Sequence, residues 1–335
     1  VIASGAQHSY FGHDEWERYA PSLKTIEDAT DLRRKVLLAL ELAESETDQA
    51  RRSALLTFVV IGGGPTGVEM AGAIAELAHR TVSRDFRSIT PHCSRVLLLN
   101  LAPRLLEAFP EELSAVALND LTQLGVEVRN STSVTQIGPD FVEAGSERIA
   151  THTAVWAAGV KASPAAEWLG STADRSGRVM VDDLLHPTGR ERIFVIGDTA
   201  HCAGPDGRPL PGIAPVAKQQ GRHAARTILA ELAGRKPEPF RYRHYGNLAT
   251  IGRSRAVIDF GRWRVTGHLA WLLWSTAHVF FLVGFRNRLS VGLSLVWNYL
   301  TFARHARLIT GALPEGNITQ QQSLADSGAE HVFPL

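Results

Sequence analysis

Apolar positions along this 335-residue chain change period several times, and each change predicts an element. Thr57-Phe58-Val59-Val60-Ile61 is an unbroken β-branched and aromatic run, the texture of a buried strand. Just behind it, Ala71, Ile74, Ala75 and Leu77 recur at helical spacing. Residues 95–100 (RVLLLN) predict a second strand, 111–124 a helix and 126–128 a third strand. Residues 133–137 and 141–143 read as a small hairpin insertion around Gly138-Pro139-Asp140, and 153–157 closes the sheet. Strand and helix alternate from 57 to 158, so the fold class is α/β with a parallel sheet.

The flanks carry weaker patterns. Residues 1–6 form a short apolar strand ending in small residues. Thr25-Ile26-Glu27-Asp28 has the form of a capping box, and Leu32, Val36, Leu37, Leu40 and Leu42 follow as an amphipathic connecting helix. The charged stretch 79–94 reads as surface. Residues 178–181 predict a short strand, and 192–198 (RIFVIGD) a buried strand that ends on Asp198. Pro211 and Gly212 lead into an amphipathic helix with Lys218, Gln219 and Gln220 in its first turns. Two strand-like runs fall within 244–260.

At 268 the texture changes. Residues 268–285 (HLAWLLWSTAHVFFLVGF) are nearly all apolar, and a second run covers 291–302. The first is slightly short for a membrane span and is interrupted by Ser275, Thr276 and His278. Aromatics beside Arg286, Arg288, Arg304 and Arg307 match helices lying in a bilayer interface. Charge sharpens this reading. The whole chain is only +1, which gives no nucleic-acid signal, yet residues 235–310 hold twelve Lys or Arg against two acids, a net +10. Such a basic, apolar end predicts attraction to anionic membrane lipids. The two cysteines, Cys93 and Cys202, are far apart, with no CxxC and no metal-like spacing, so neither a disulfide scaffold nor a metal site is expected. No signal peptide is evident, and residues 1–6 read as a strand already under way, so the chain is expected to start inside a domain.

The chemistry concentrates after the first strand, at Gly62-x-Gly64-x-x-Gly67. Gly62 allows the tight turn, Gly64 lets a pyrophosphate approach the backbone, and Gly67 lets the helix pack closely. Unpaired N–H groups at the helix start then face the phosphates. A residue at the end of the second strand usually grips the adenosine ribose, and here it is Asn100, with Arg104 near enough to pair a 2′-phosphate. The spacing leaves NADH and NADPH both open. Asp198, followed by Thr199, suits a sugar or ribityl hydroxyl, or serves as a strand-end turn or helix cap.

Taken in order, these stretches resemble the type II NADH:quinone oxidoreductases, single-subunit respiratory NADH dehydrogenases that do not pump protons. VIASGA resembles the family's strand before the NADH domain, and HSYFGHDEWERYAPSLKTIEDA the linker after it. GGGPTGVEMAGAIAEL resembles the NADH-binding turn, VWAAGVKASP the crossover back to the flavin domain, and FVIGDTA the flavin-binding strand. PGIAPVAKQQG resembles the quinone-site helix, and the Trp/Phe-rich end the membrane-anchoring region.

The resemblance implies two Rossmann-like dinucleotide-binding domains, noncovalent FAD, and peripheral attachment at the cytoplasmic face of the cell membrane. Residues 1–50 would be the end of the FAD domain and a linker helix, 51–158 the NAD(P)H domain, 159–236 the second part of the FAD domain, and 237–335 the membrane-associating end. Gly62, Gly64, Pro65, Thr66 and Gly67 would cradle the NADH pyrophosphate, Glu69 would lie by the nicotinamide, and Asn100 by the ribose. Ala158, Gly159, Gly197, Asp198 and Ala217 would line the flavin, with Lys218 and Gln219 on the quinone side. Hydride would pass from NADH to the flavin and two electrons onward to ubiquinone or menaquinone, and a homodimer is left open.

Three departures matter. Pro215 stands where the family's quinone motif has its first Gln, and Asn100 where NADH-specific members carry Glu. The family's opening flavin unit, with its own GxGxxG, is absent. The chain alone is therefore expected to bind NADH weakly and retain little FAD. Two other readings compete. A soluble flavin disulfide reductase shares the two-domain plan, but His186-Pro187 lies before the flavin strand, not at a dimerising C-terminus. An inactive, membrane-associated nucleotide-binding remnant is the other.

Overall fold

The structure is a computed structural model that describes residues 1–81, 86–90, 93–205, 207–301 and 309. In chain order it contains β1 (Ala6–His8), α1 (Ile26–Ser45), α2 (Gln49–Leu55), β2 (Thr57–Ile61), α3 (Pro65–Glu76), β3 (Arg95–Leu99), α4 (Glu111–Gln123) and β4 (Val126–Arg129). There follow β5 (Val134–Ile137), β6 (Phe141–Ala144), β7 (Glu147–Ala150), β8 (Thr153–Trp156), β9 (Val160–Ala162), α5 (Ala165–Leu169), β10 (Val179–Met180) and β11 (Ala200–His201). The chain continues through α6 (Ala214–Leu232), β12 (Asn247–Thr250), β13 (Ala256–Asp259), β14 (Arg264–Thr266), α7 (Gly267–Phe281) and α8 (Phe285–Thr301).

The four-stranded sheet β4-β3-β2-β8 is parallel throughout, as the alternation of strand and helix predicts. Both faces are covered, so its strands read as continuous apolar runs. Side chains still alternate in what they touch. Phe58, Val60, Val96, Leu98 and Val155 pack with α1, α3 and α4. Val59, Ile61, Leu97, Leu99 and Trp156 face the antiparallel sheet β5-β6-β7 together with Tyr10 and Trp16. The predicted hairpin insertion is thus the second cover of the sheet, with one strand more than the sequence suggested. The capping box is present too, with the Thr25 hydroxyl accepting from the Asp28 N–H and the Asp28 carboxylate accepting from that of Thr25.

Beyond β8 the predicted strands shorten. The segment 192–198 is buried at Phe194, Val195 and Ile196, but its one β-bridge is to Ile2, with a further bond from the Val195 N–H to Leu185 O at 3.0 Å. The Ile2 N–H donates to Phe194 O at 2.7 Å, and the Ile196 N–H to Ile2 O at 3.0 Å. One bridge is too little ladder for a regular strand, so burial there comes from side chains, not from sheet formation. In the same way the expected strand at 1–6 reduces to that bridge, and β1 starts at Ala6, where it pairs antiparallel with β9.

The C-terminal sheet β12-β13-β14 is antiparallel and lies against α3, to which Ala249, Ile251 and Val257 contribute buried contacts. Gly72 makes that contact possible. A Cβ on it would stand 2.8 Å from the Gly252 nitrogen. Helix α7 crosses β13 through Ala270 and Trp271, and Trp271 stacks on Tyr299 of α8 at 4.9 Å. The long apolar run 268–285 is divided, not continuous. Leu282 leaves helical geometry at ψ 146, and Gly284 takes φ +83, which lets the chain re-enter as α8. No helix among the described residues is long and apolar enough to cross a membrane. Among the described residues α7, α8 and their junction carry exposed apolar side chains, with Val283 88% and Phe285 79% exposed, alongside Leu269, Phe280 and Leu293.

Candidate functional site

The glycine turn is built as its spacing demands, and each glycine has its own reason. Gly62 takes φ +117, and a Cβ there would sit 2.5 Å from Ala157 O. Gly67 presses on Gly62 so closely that a Cβ would fall 1.8 Å from Gly62 O. Gly64 differs, since a Cβ there would meet nothing within 4 Å. It caps α3 in an extended conformation, with Pro65 at the first helical position and Thr66 exposed beside it. The first turn of α3 thus presents N–H groups with no partners inside the helix to open space above Gly64.

Asn100 is not placed as its position suggests. It is buried, and its amide nitrogen donates to Ala102 O at 3.1 Å, Arg104 O at 3.0 Å and Asn130 Oδ1 at 2.9 Å. Its carboxamide lies flat on Gly63, where a Cβ would be 2.4 Å from Asn100 Cγ. The ribose contact expected of Asn100 therefore meets a side chain already bracing the turn from below. Arg104 points inward as well. Its guanidinium donates to Phe109 O at 2.9 Å, Glu107 O at 2.8 Å and the Ser114 hydroxyl. Those bonds engage the guanidinium within the 104–114 segment.

Glu69 lies on α3 two residues beyond Gly67, and its Oε1 accepts from the Thr250 N–H at 3.1 Å. Burial pushes its carboxyl pKa above the ordinary range, against the opposing pull of the Thr250 hydrogen bonds and of His278 on α7. The nucleotide helix is thereby tied to the sheet that carries the exposed aromatic helices. At the start of α6, Lys218 is exposed, and its ammonium stands 4.8 Å from the Phe281 ring centroid. Gln219 is not presented in the same way. Its carboxamide donates to Arg243 O at 2.8 Å and accepts from the Arg243 N–H at 2.9 Å. That bidentate bond makes it a clamp on the segment entering β12, where the sequence suggested a ligand contact.

On the flavin side, Asp198 is half-buried and pairs with Lys24 at 3.4 Å. A Cβ on Gly212 would come within 3.4 Å of the Asp198 carboxyl, so the missing side chain leaves that oxygen approachable. Gly197 takes φ +73 against Ala217, and its N–H donates to Gln220 Oε1 at 2.6 Å. Ala158 and Gly159 are half-buried, and Gly159 lies under the Phe11 ring. These groups fit the hydroxyl-bearing part of a flavin nucleotide, with an accessible carboxylate over small residues. Two contributors had no role assigned from the sequence, although Gln220 stands there beside Lys218 and Gln219. Gln220 is 1% exposed and aligns Gly197. Its signal was available, because Val216, Gln220, Ala224 and Thr227 form the buried stripe of α6, with a polar residue in it. Lys24 carried no local signal, since its partner lies 174 residues away.

His186 is buried, with its ring edge-on to Phe194 at 4.4 Å, so it is a packing residue. Cys93 is exposed, Cys202 is buried, and both are free thiols.

A parallel sheet with a glycine turn at its first strand, and an aspartate opposite a second helix, defines a dinucleotide-binding oxidoreductase of the two-nucleotide type. Residues 1–221 match the pyridine nucleotide-disulphide oxidoreductase family, and 244–305 match the NDH2 C-terminal domain. The chain belongs to that family and, within it, to the type II NADH:quinone oxidoreductases. It is 40% identical over 327 residues to type II NADH:quinone oxidoreductase NdhA of Mycobacterium tuberculosis, covering 93% of this chain and 68% of the relative. With Ndh of the same organism it shares 39% over 347 residues, covering 100% and 72%. The fold matches NDH2 from Plasmodium falciparum in complex with NADH at a TM-score of 0.83 and 17% identity, over 92% of this chain and 78% of that one.

Proposed function

We propose that this chain binds NADH on the Gly62–Gly67 turn and, with FAD, passes its electrons to a membrane quinone without pumping protons. The observation that carries the reading is the bond from Glu69 to Thr250, which sets the nucleotide helix against the sheet leading to the exposed α7–α8 face. Bound FAD would supply the two-electron redox chemistry that links NADH to the quinone.

The chain's own residues supply positions and charge. The α3 dipole and free N–H groups hold the pyrophosphate above Gly64. Arg104 is turned inward and Asn100 is committed beneath the turn, so neither offers a positive charge to a 2′-phosphate, which favours NADH over NADPH. Burial raises the Glu69 pKa, so its carboxyl gives up a proton less readily than a solvated glutamate. Lys218, its ammonium over the Phe281 ring, brings a positive charge towards a quinone oxygen. Gln219 positions this edge through Arg243. Asp198, with Lys24, orients the flavin's hydroxyls.

The same reading seats Phe280, Val283, Phe285 and Trp297 in the cytoplasmic-face bilayer interface, next to anionic lipid, with ubiquinone or menaquinone entering from the lipid side. It keeps the division of the chain at 50, 158 and 236. Stopped-flow reduction of bound flavin by NADH and by NADPH tests it, followed by quinone addition. Rapid bleaching by NADH, slow bleaching by NADPH and reoxidation by quinone are expected. Flavin that NADH fails to reduce would refute the reading.

A further inference from the structure

A cavity of about 570 Å³ opens between α6 and the segment returning to β12, away from the glycine turn. Arg222 and Arg226, one helical turn apart, line one wall, and Arg241 and Arg243 line the other. Glu238 is the one carboxylate among the lining residues. None of the four guanidiniums makes an ion pair among the described residues, although most arginines of β3, β4 and β10 and their flanks do. Four like charges around one concavity repel each other unless an anion lies between them. The walls are also held in place. Gln219 fixes Arg243 through both carboxamide atoms, and Phe240 packs on His223 at 5.4 Å. The cleft adjoins the apolar face, because Lys218, the residue before Gln219, sits over Phe281 at the end of α7.

We propose that this cleft is an anion site that takes a phosphate group, as carried by an anionic phospholipid at the bilayer surface, a chemistry it shares with free pyrophosphate. Arginine forks suit phosphate oxygens bidentately, and the neighbouring apolar helices suit the acyl chains. The anion site goes beyond the electron-transfer reading, and its lipid source rests on the bilayer seating proposed with that reading.

The test is co-sedimentation of the full chain with vesicles of phosphatidylcholine alone and of phosphatidylcholine mixed with phosphatidylglycerol. For Arg222→Gln/Arg226→Gln, affinity for the mixed vesicles should fall by roughly thirtyfold, the worth of two surface charges, while affinity for neutral vesicles stays the same. Arg222→Lys/Arg226→Lys keeps both charges but not the forks, so it should bind between the wild type and the Gln pair, which excludes misfolding as the cause. Calorimetric titration with pyrophosphate separates the two sources. If pyrophosphate binds the wild type but not the Gln pair, and both bind vesicles equally, the anion site stands and its ligand is a soluble phosphate. If vesicle binding is equal and neither protein binds pyrophosphate, the proposal is overturned. Flavin reduction by NADH should be unchanged in the Gln pair, so its outcome reports separately on the electron-transfer reading.

Discussion

Alanine at Gly64 and at Gly67 should have opposite consequences, although the two glycines share one turn. At Gly64 the backbone is extended (φ −74, ψ −179), a conformation any residue adopts, and the added methyl meets nothing within 4 Å. The fold should be untouched, or gain about 0.5 kcal/mol from a less flexible unfolded chain. The methyl would occupy the space where the pyrophosphate meets the backbone. Losing one charge-assisted hydrogen bond costs about 1.5–3 kcal/mol, so NADH should bind roughly ten- to a hundredfold more weakly. At Gly67 the methyl would begin 1.8 Å from Gly62 O. An ordinary carbon–oxygen contact needs about 3.3 Å, so α3 would have to move out by about 1.5 Å. Val68 and Ala71, both fully buried, move with it. That places the cost near the top of the overpacking range, about 3 kcal/mol, and the melting temperature should drop by roughly 6–12 °C. Differential scanning fluorimetry and titration of nicotinamide fluorescence read both quantities. If Gly64→Ala melts early with NADH affinity intact, or Gly67→Ala melts with the wild type, the division of labour between the glycines is wrong.

Three further outcomes follow from the side chains. Glu69 has a folded pKa above 4.5, so its ionisation opposes folding as pH rises through that folded value. Glu69→Gln should therefore be at least as stable as the wild type at pH 8, with the two converging at pH 4; a wild type clearly more stable at pH 8 would contradict the burial argument. Asp174 goes the other way. Hydrogen bonds from His201 and Arg178 outweigh the cost of burial and hold its pKa at about 2, below the usual 3.8. Its contribution is present above pH 3.8 and lost as pH falls towards 2. Asp174→Asn should cost about 2 kcal/mol by urea unfolding at neutral pH and only about 0.4 kcal/mol near pH 2, where half the folded carboxyls are protonated. Arg104→Ala should destabilise the protein by about 2–3 kcal/mol, because it leaves carbonyls of the 104–109 loop without their donor, and should leave the ratio of NADH to NADPH affinity unchanged. A shift in that ratio would mean that the guanidinium does reach the nucleotide.

Much of the fold was legible from local texture. The run 57–61, the helical spacing after Gly67 and the capping box at Thr25 all register in their own few residues. The shorter strands were less legible, since 192–198 is apolar enough to be buried but lacks a partner long enough to make it a strand. The break at 282–284 inside an apolar run was also hidden, because hydropathy does not register one residue leaving helical geometry. Side-chain direction was the least legible. Asn100, Arg104 and Gln219 occupy positions where sequence order suggests ligand contacts, and the fold turns all three onto backbone carbonyls.

The physical division is one of range. Period, glycine spacing and local charge act over a few residues, so the amino-acid order by itself determined the parallel sheet, the glycine turn and the basic, aromatic C-terminal end. Tertiary structure alone decided which groups meet. Glu69 finds Thr250 across 181 residues of chain, and Lys24 finds Asp198 across 174. No local pattern encodes such a meeting, because it depends on how every intervening element packs.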